Sequence, residues 1–97
     1  MPATAFTPSV NFALAMTGSS VNQALGLGAG NSILYVYNAS TAVANMRWGV
    51  GAQTAVGTDF AVPPGAYFVM AKPTAAGNVA VIGAGTGSVY LSCGEGE

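Results

Sequence analysis

Apolar residues recur in this chain at every second position, in short segments cut by glycine, proline and small polar residues, and no window holds a helical period for long. Such a chain is constrained to fold as sheets. The clearest segment runs over residues 33–50. Ile33, Tyr35 and Tyr37 alternate with Leu34 and Val36, so both faces of that strand are apolar and the strand belongs in the interior. Residues 38–41 offer a short polar turn. Beyond it Ala42, Ala44, Met46, Trp48 and Val50 alternate with Val43, Asn45, Arg47 and Gly49, which gives one buried and one wetter face. The expectation is a central hairpin, with Trp48 supplying the largest single piece of buried area, since a large aromatic buries roughly 150 to 250 Å².

The remaining segments follow the same rule. Pro2 and Pro8 make residues 1–8 an extended arm. Val10, Phe12, Leu14 and Met16 alternate with Asn11, Ala13 and Ala15 as a first strand, and residues 21–27 read as a short strand running into a loop at Gly26, Gly28 and Gly30. Residues 51–57 are a weak strand or an edge segment of small side chains. Pro63-Pro64-Gly65 fixes a turn that cannot continue a ladder. Residues 66–71, apolar on both faces, read as another interior strand, and residues 79–82 and 89–93 as a hairpin around the glycines at 83–87. Residues 94–97 form a loose acidic tail. About seven short strands at a spacing of roughly 8 to 12 residues predict an all-β fold, a single antiparallel β-sandwich domain over 1–97 of jelly-roll or related Greek-key type.

Charge then limits what such a sandwich can do. Charged residues are 5 % of the chain, against about 25 % in an ordinary soluble domain. They are Arg47, Asp59, Lys72, Glu95 and Glu97. Either Thr, Ser, Asn and Gln carry the solvated surface, or copies of the chain or a larger partner cover much of it; near-zero charge favours association. Two basic residues cannot neutralise a run of phosphates or hold an anionic bilayer, so neither nucleic acid nor membrane is expected as a partner. A lone cysteine, Cys93, cannot form an intramolecular disulfide and reads as a small core residue. No basic leader precedes the first apolar residues, the stretch 12–16 is too short for a signal-peptide core, and no apolar run approaches a membrane helix. A soluble protein made in a cytoplasm is the expectation. Asn38-Ala39-Ser40 matches the glycosylation sequon by its letters alone.

Reactive groups are equally scarce. Histidine is absent, which removes the commonest general base and metal ligand together. One cysteine and scattered carboxylates do not make a zinc site, and Asp59 stands far in sequence from Glu95 and Glu97. The serines lack an activating base, Lys72 being next to a proline. The glycines at 26–30 and 83–87 lack the spacing and following helix of a dinucleotide loop and read as turns. No catalytic residue, metal or cofactor is expected. Tyr35, Tyr37, Trp48, Tyr67, Phe68 and Tyr90 read as core or self-association residues, with stacking on a sugar or base as the alternative for Tyr35, Tyr37, Tyr67 or Tyr90.

The phrases Ile33-Leu34-Tyr35-Val36-Tyr37-Asn38, Arg47-Trp48-Gly49, Asp59-Phe60-Ala61-Val62-Pro63-Pro64-Gly65, Val79-Ala80-Val81-Ile82 and Val89-Tyr90-Leu91-Ser92-Cys93-Gly94-Glu95-Gly96-Glu97 come in an order that resembles small structural proteins encoded near the capsid genes of tailed bacteriophages. Residues before Ile33 carry none of this resemblance. It implies a non-enzymatic virion protein, a capsid decoration or cement protein that binds the outside of the head where capsomers meet. Its partners would be the major capsid protein and copies of itself, a homotrimer ahead of a homodimer. On that reading the arm supplies the capsid contact through Phe6, Val10 and Phe12, and an apolar sheet face or edge supplies self-association. A small carbohydrate- or receptor-binding module of a phage fibre, with Trp48 and the tyrosines as its platform, is the alternative, as is a neck or tail position in the virion.

Overall fold

A computed structural model describes residues 7–26 and 30–95. They form eight strands, β1 (Thr7–Ala15), β2 (Val21–Ala24), β3 (Ile33–Asn38), β4 (Ala44–Gly49), β5 (Phe60–Val62), β6 (Tyr67–Ala71), β7 (Asn78–Gly83) and β8 (Ser88–Glu95), with no α-helix among them. Two four-stranded antiparallel sheets result, the first ordered β1-β8-β3-β6 and the second β2-β7-β4-β5. The all-β sandwich expected from the alternation is therefore the fold, with eight strands in place of about seven. Only the β4–β5 connection stays within one sheet; every other one crosses to the opposite sheet.

That crossing overturns both expected hairpins. β3 lies in the first sheet between β8 and β6, whereas β4 lies in the second between β7 and β5. β7 and β8 likewise separate into the two sheets. The turn signals were sound, but a turn residue fixes only a change of direction, and here the chain leaves the plane of the sheet. Residues 50–58 form no strand. β6 is an edge strand exposed along most of its length, not an interior one.

The core lies between the sheets. Leu14, Leu34, Val36, Val89, Leu91 and Cys93 from the first sheet meet Ala44, Met46, Val62, Val79 and Val81 from the second, all buried. A fully buried Leu or Val contributes roughly 1.5 to 3 kcal/mol relative to exposure. Burial pushes the Cys93 thiol above its ordinary range, a small effect of Lys72 opposing it, which suits the packing role expected of this cysteine. Trp48 is only partly buried, against the margin of the core; the largest fully buried side chains include Leu14, Leu25, Leu34 and Leu91. The reason is the length of β5, whose pairing with β4 stops at Phe60 opposite Met46, so no strand flanks Trp48 on that side.

Two charged side chains, buried Lys72 and exposed Glu95, satisfy polar groups of the chain itself. Lys72, only 2 % exposed, follows β6, and its Nζ donates to the carbonyls of Pro73 and Ala76 at 3.0 Å each. Nothing in the apolar periodicity points to that burial. Glu95 corrects the expectation of a loose tail at its first two residues, because β8 continues through Gly94 and Glu95 to pair with Ile33, Pro8 and Thr7. Thr7 and Pro8 belong to β1 rather than to an arm; residues 1–6 and 96–97 lie outside the described residues. The Glu95 carboxylate accepts from Ser32 Oγ at 2.6 Å, and from Asn31 Nδ2 and Ser32 N at 3.0 Å each.

These bonds, the Ser32 hydroxyl first, hold the Glu95 carboxyl below its ordinary range, with Lys72 adding a smaller pull. A carboxylate whose folded-state pKa is depressed adds stability that is complete above the unfolded-state value and is lost as pH falls through the folded one. Denaturation midpoints of the wild-type protein should accordingly fall through the acid range, and Glu95→Gln should flatten that segment of the profile. A wild-type slope retained by Glu95→Gln would assign it to other carboxyls.

Candidate interaction face

Strand register decides which aromatic residues share a surface. In β3 the residues of one parity, Leu34, Val36 and Asn38, are buried, so Ile33, Tyr35 and Tyr37 point to the outer side of the first sheet. Tyr37 pairs with Tyr67 of β6 on one side and Tyr90 of β8 on the other, and Tyr35 pairs with Val69 and Ser92. Four tyrosines, all that the chain contains, therefore stand on one face. Tyr35 and Tyr67 stack at a centroid distance of 5.5 Å with 26° between planes; Tyr37 and Tyr90 stack at 6.3 Å and 16°. Tyr67 is 61 % exposed, Val69 52 % and Tyr90 46 %. On β1 the same surface continues through Asn11 and Ala13, paired with Ser92 and Tyr90.

None of these residues is charged. Neighbouring rings hold one another in place, so the face is preorganised and loses little side-chain freedom when covered. Tyrosine is suited to such a position, having a broad apolar ring for burial and a hydroxyl that can pair at a wet rim.

The outer side of the second sheet is treated differently. Asn22 of β2 and Arg47 of β4 flank Ala80 of β7, and the loop 50–58 spans them: Gln53 N donates to Asn22 Oδ1 at 2.9 Å, and Arg47 Nη1 donates to the Thr54 carbonyl at 3.2 Å. Ala55 N donates to Ser20 Oγ at 2.8 Å. Ala80 and Ala55 are buried in consequence. The weak edge segment expected at 51–57 is thus a cover, and the tyrosine face has no equivalent in the described chain.

A second feature sits where the sandwich opens between β5 and β6. Phe60 of β5 and Phe68 of β6 meet edge to face at 5.4 Å and 73°, bridging the two sheets at their margin. Beside them Met46, Arg47, Trp48, Asp59, Phe60 and Met70 line a cleft of about 330 Å³. Arg47 Nε approaches Asp59 Oδ2 at 3.9 Å, and that oxygen also accepts from Val56 N at 2.8 Å.

The structure redistributes the residues singled out from sequence. Tyr35, Tyr37, Tyr67 and Tyr90 lie together on the outer face and not in the core; Phe68 and Trp48 lie at the open margin, apart from the tyrosines, so Trp48 and the tyrosines do not form one platform. Val10 and Phe12 take the inward parity of β1, opposite Cys93 and Leu91, with Phe12 packed on the core, which makes them packing residues where outward anchors were expected. Phe6 lies outside the described residues. Asn38 of the sequon is fully buried and its Nδ2 is engaged with the carbonyls of Ala42 and Val62. The pair Tyr35 and Tyr37 carried a signal for the face in their shared parity; the contribution of Tyr67 and Tyr90 depends on a register that spacing does not encode. Among the described residues no group of three or more His, Cys, Asp or Glu side chains is placed to hold a metal ion. No protein-family model matches the chain, and no curated protein matches it.

Proposed function

We propose that the protein is a structural adhesive of a phage virion, a capsid decoration protein that works by binding through the tyrosine face and performs no catalysis. One observation carries this reading: a loop of the chain covers the outer side of one sheet, whereas no other described segment covers the four stacked tyrosines on the other, two of them exposed and two half-buried. Aromatic residues, tyrosine among them, are enriched at protein interfaces while charged residues are depleted at their centres. The strand orders β1-β8-β3-β6 and β2-β7-β4-β5 support a jelly-roll assignment, two Greek keys wound into facing sheets. The resemblance of the segments from Ile33 onward to phage structural proteins supports the virion setting, with the major capsid protein and further copies of the chain as partners.

Sedimentation and shell binding test the proposal together. The wild-type chain is expected to sediment as a small homo-oligomer, a trimer ahead of a dimer, and to co-sediment with undecorated heads of its phage in many copies per shell. Tyr37→Arg combined with Tyr90→Arg places two charges at the centre of the face and should reduce both properties by at least about tenfold, equivalent to about 1.4 kcal/mol. A wild-type monomer that ignores such heads, or a double variant that binds them unimpaired, would remove the tyrosine face from the account.

A further inference from the structure

The cleft at the β5–β6 margin combines features that a purely structural margin does not require. Its walls are apolar and aromatic, with Trp48 and Phe60 as the flat groups and Met46 and Met70 beside them. Among the described residues that line it, the charged ones are Arg47 and Asp59, one of each sign. Of the five N–H donors of the Arg47 guanidinium, one is spent on the Thr54 carbonyl, and the approach to Asp59 at 3.9 Å is longer than a hydrogen bond. The hydrogen bond that Asp59 accepts, from Val56 N, falls on Oδ2, so Oδ1 has acceptor capacity left. At about 330 Å³ the cleft falls at the lower end of the roughly 300 to 1,000 Å³ of small-molecule sites.

We infer that this cleft binds a neutral saccharide ring of pyranose size, independently of the tyrosine face. A pyranose presents one C–H face, which an indole ring accommodates, and a rim of hydroxyls, each both donor and acceptor. Arg47 supplies donors and Asp59 an acceptor side by side, as adjacent hydroxyls require. An anionic ligand would gain from Arg47 and lose to Asp59, and a cation the reverse, so the pair selects against net charge. A wholly apolar ligand would desolvate both polar groups without replacing their water contacts.

Trp48 is the single tryptophan of the chain and lines the cleft, so its emission reports on occupancy. Titration with methyl glycosides of glucose, mannose and galactose is expected to give a saturable shift in emission for at least one of them, with a dissociation constant in the millimolar range. Asp59→Asn and Arg47→Met, at positions outside the buried core cluster, should weaken that binding by about tenfold or more. Trp48→Phe keeps an aromatic floor; with this variant, protection of the cleft residues read by NMR shifts replaces the lost emission, and weakened but detectable binding is expected. Several results would overturn the inference: no response to any of the neutral glycosides, binding unchanged in both polar variants, glucuronate or glucosamine preferred by more than about tenfold, or a response to indole or toluene alone, which would make the cleft a socket for an apolar side chain of a partner.

Discussion

Asn38→Ala is expected to lower the melting temperature by about 12 to 24 °C, following a loss of about 3 kcal/mol at 4 to 8 °C per kcal/mol for a domain of this size. Asn38 closes β3, has no exposed surface, and stands where the chain leaves the first sheet for the second. Its Nδ2 donates to the Ala42 carbonyl at 2.9 Å and to the Val62 carbonyl of β5 at 2.8 Å, while its Oδ1 accepts from Ser40 N at 2.9 Å and from the Ser40 hydroxyl. One side chain thereby satisfies main-chain groups on the crossover and on a strand of the opposite sheet. Alanine removes these bonds; the Ala42 carbonyl, which is part-buried, keeps the one from Ser40 Oγ at 3.1 Å, whereas the bonds to the Val62 carbonyl and from Ser40 N are lost in a buried site, at about 1 to 3 kcal/mol for each group that water cannot reach. Asn38→Asp separates the two halves of this role. It keeps the acceptor for Ser40 but sets a carboxylate oxygen against two carbonyls, so it should destabilise at neutral pH at least as strongly as alanine. A change of only a few degrees for both variants would mean that the neighbouring main-chain bonds, Ala39 N to the Ser88 carbonyl and Gly65 N to the Asn38 carbonyl, hold the crossover alone.

This residue also marks where the sequence stops being legible. Alternation in Val10 to Met16, Ile33 to Tyr37 and Val79 to Ile82 places strands where they form, because period two is a local property of a pleated chain. Pairing is not local. A polar tetrapeptide between two alternating runs describes a hairpin turn and a sheet-to-sheet crossover equally well, and the decision rests on whether the first turn residue is solvated or buried with its hydrogen bonds made. Asn38 is the buried kind. The same limit explains the tyrosines: in β3 both parities are apolar, so composition cannot say which side faces the core, and only the register with Leu91 and Cys93 of β8 assigns Val36 and Leu34 to the interior. It explains Lys72 as well, whose burial depends on carbonyls presented by the turn that follows it.

Gly85→Ala should cost about 2 kcal/mol, or about 8 to 16 °C in melting temperature, although an added methyl is the smallest possible change. A Cβ at Gly85 would come within 2.6 Å of Ala42 N, 2.7 Å of Thr41 Oγ1 and 3.0 Å of Thr41 N. Two of these are main-chain atoms of the β3–β4 crossover, which cannot rotate away as a flexible side chain would. The approach is close because the two crossovers at this end are bonded to each other: Thr41 N donates to the Thr86 carbonyl at 3.0 Å, and Thr86 N donates back to Thr41 Oγ1 at 2.9 Å. Gly57→Ala is the control, since a Cβ there meets nothing within 4 Å, and it should stay within about 0.5 kcal/mol of wild type. Because Gly85 presses on the loop that Asn38 secures, the double variant Asn38→Ala with Gly85→Ala should lose less than the sum of the single losses: a crossover already released can move aside for the new methyl. Urea denaturation of the four proteins measures that difference. Strict additivity would mean that the β3–β4 and β7–β8 crossovers stabilise the sandwich independently, and that their mutual hydrogen bonds contribute nothing to holding the two sheets together.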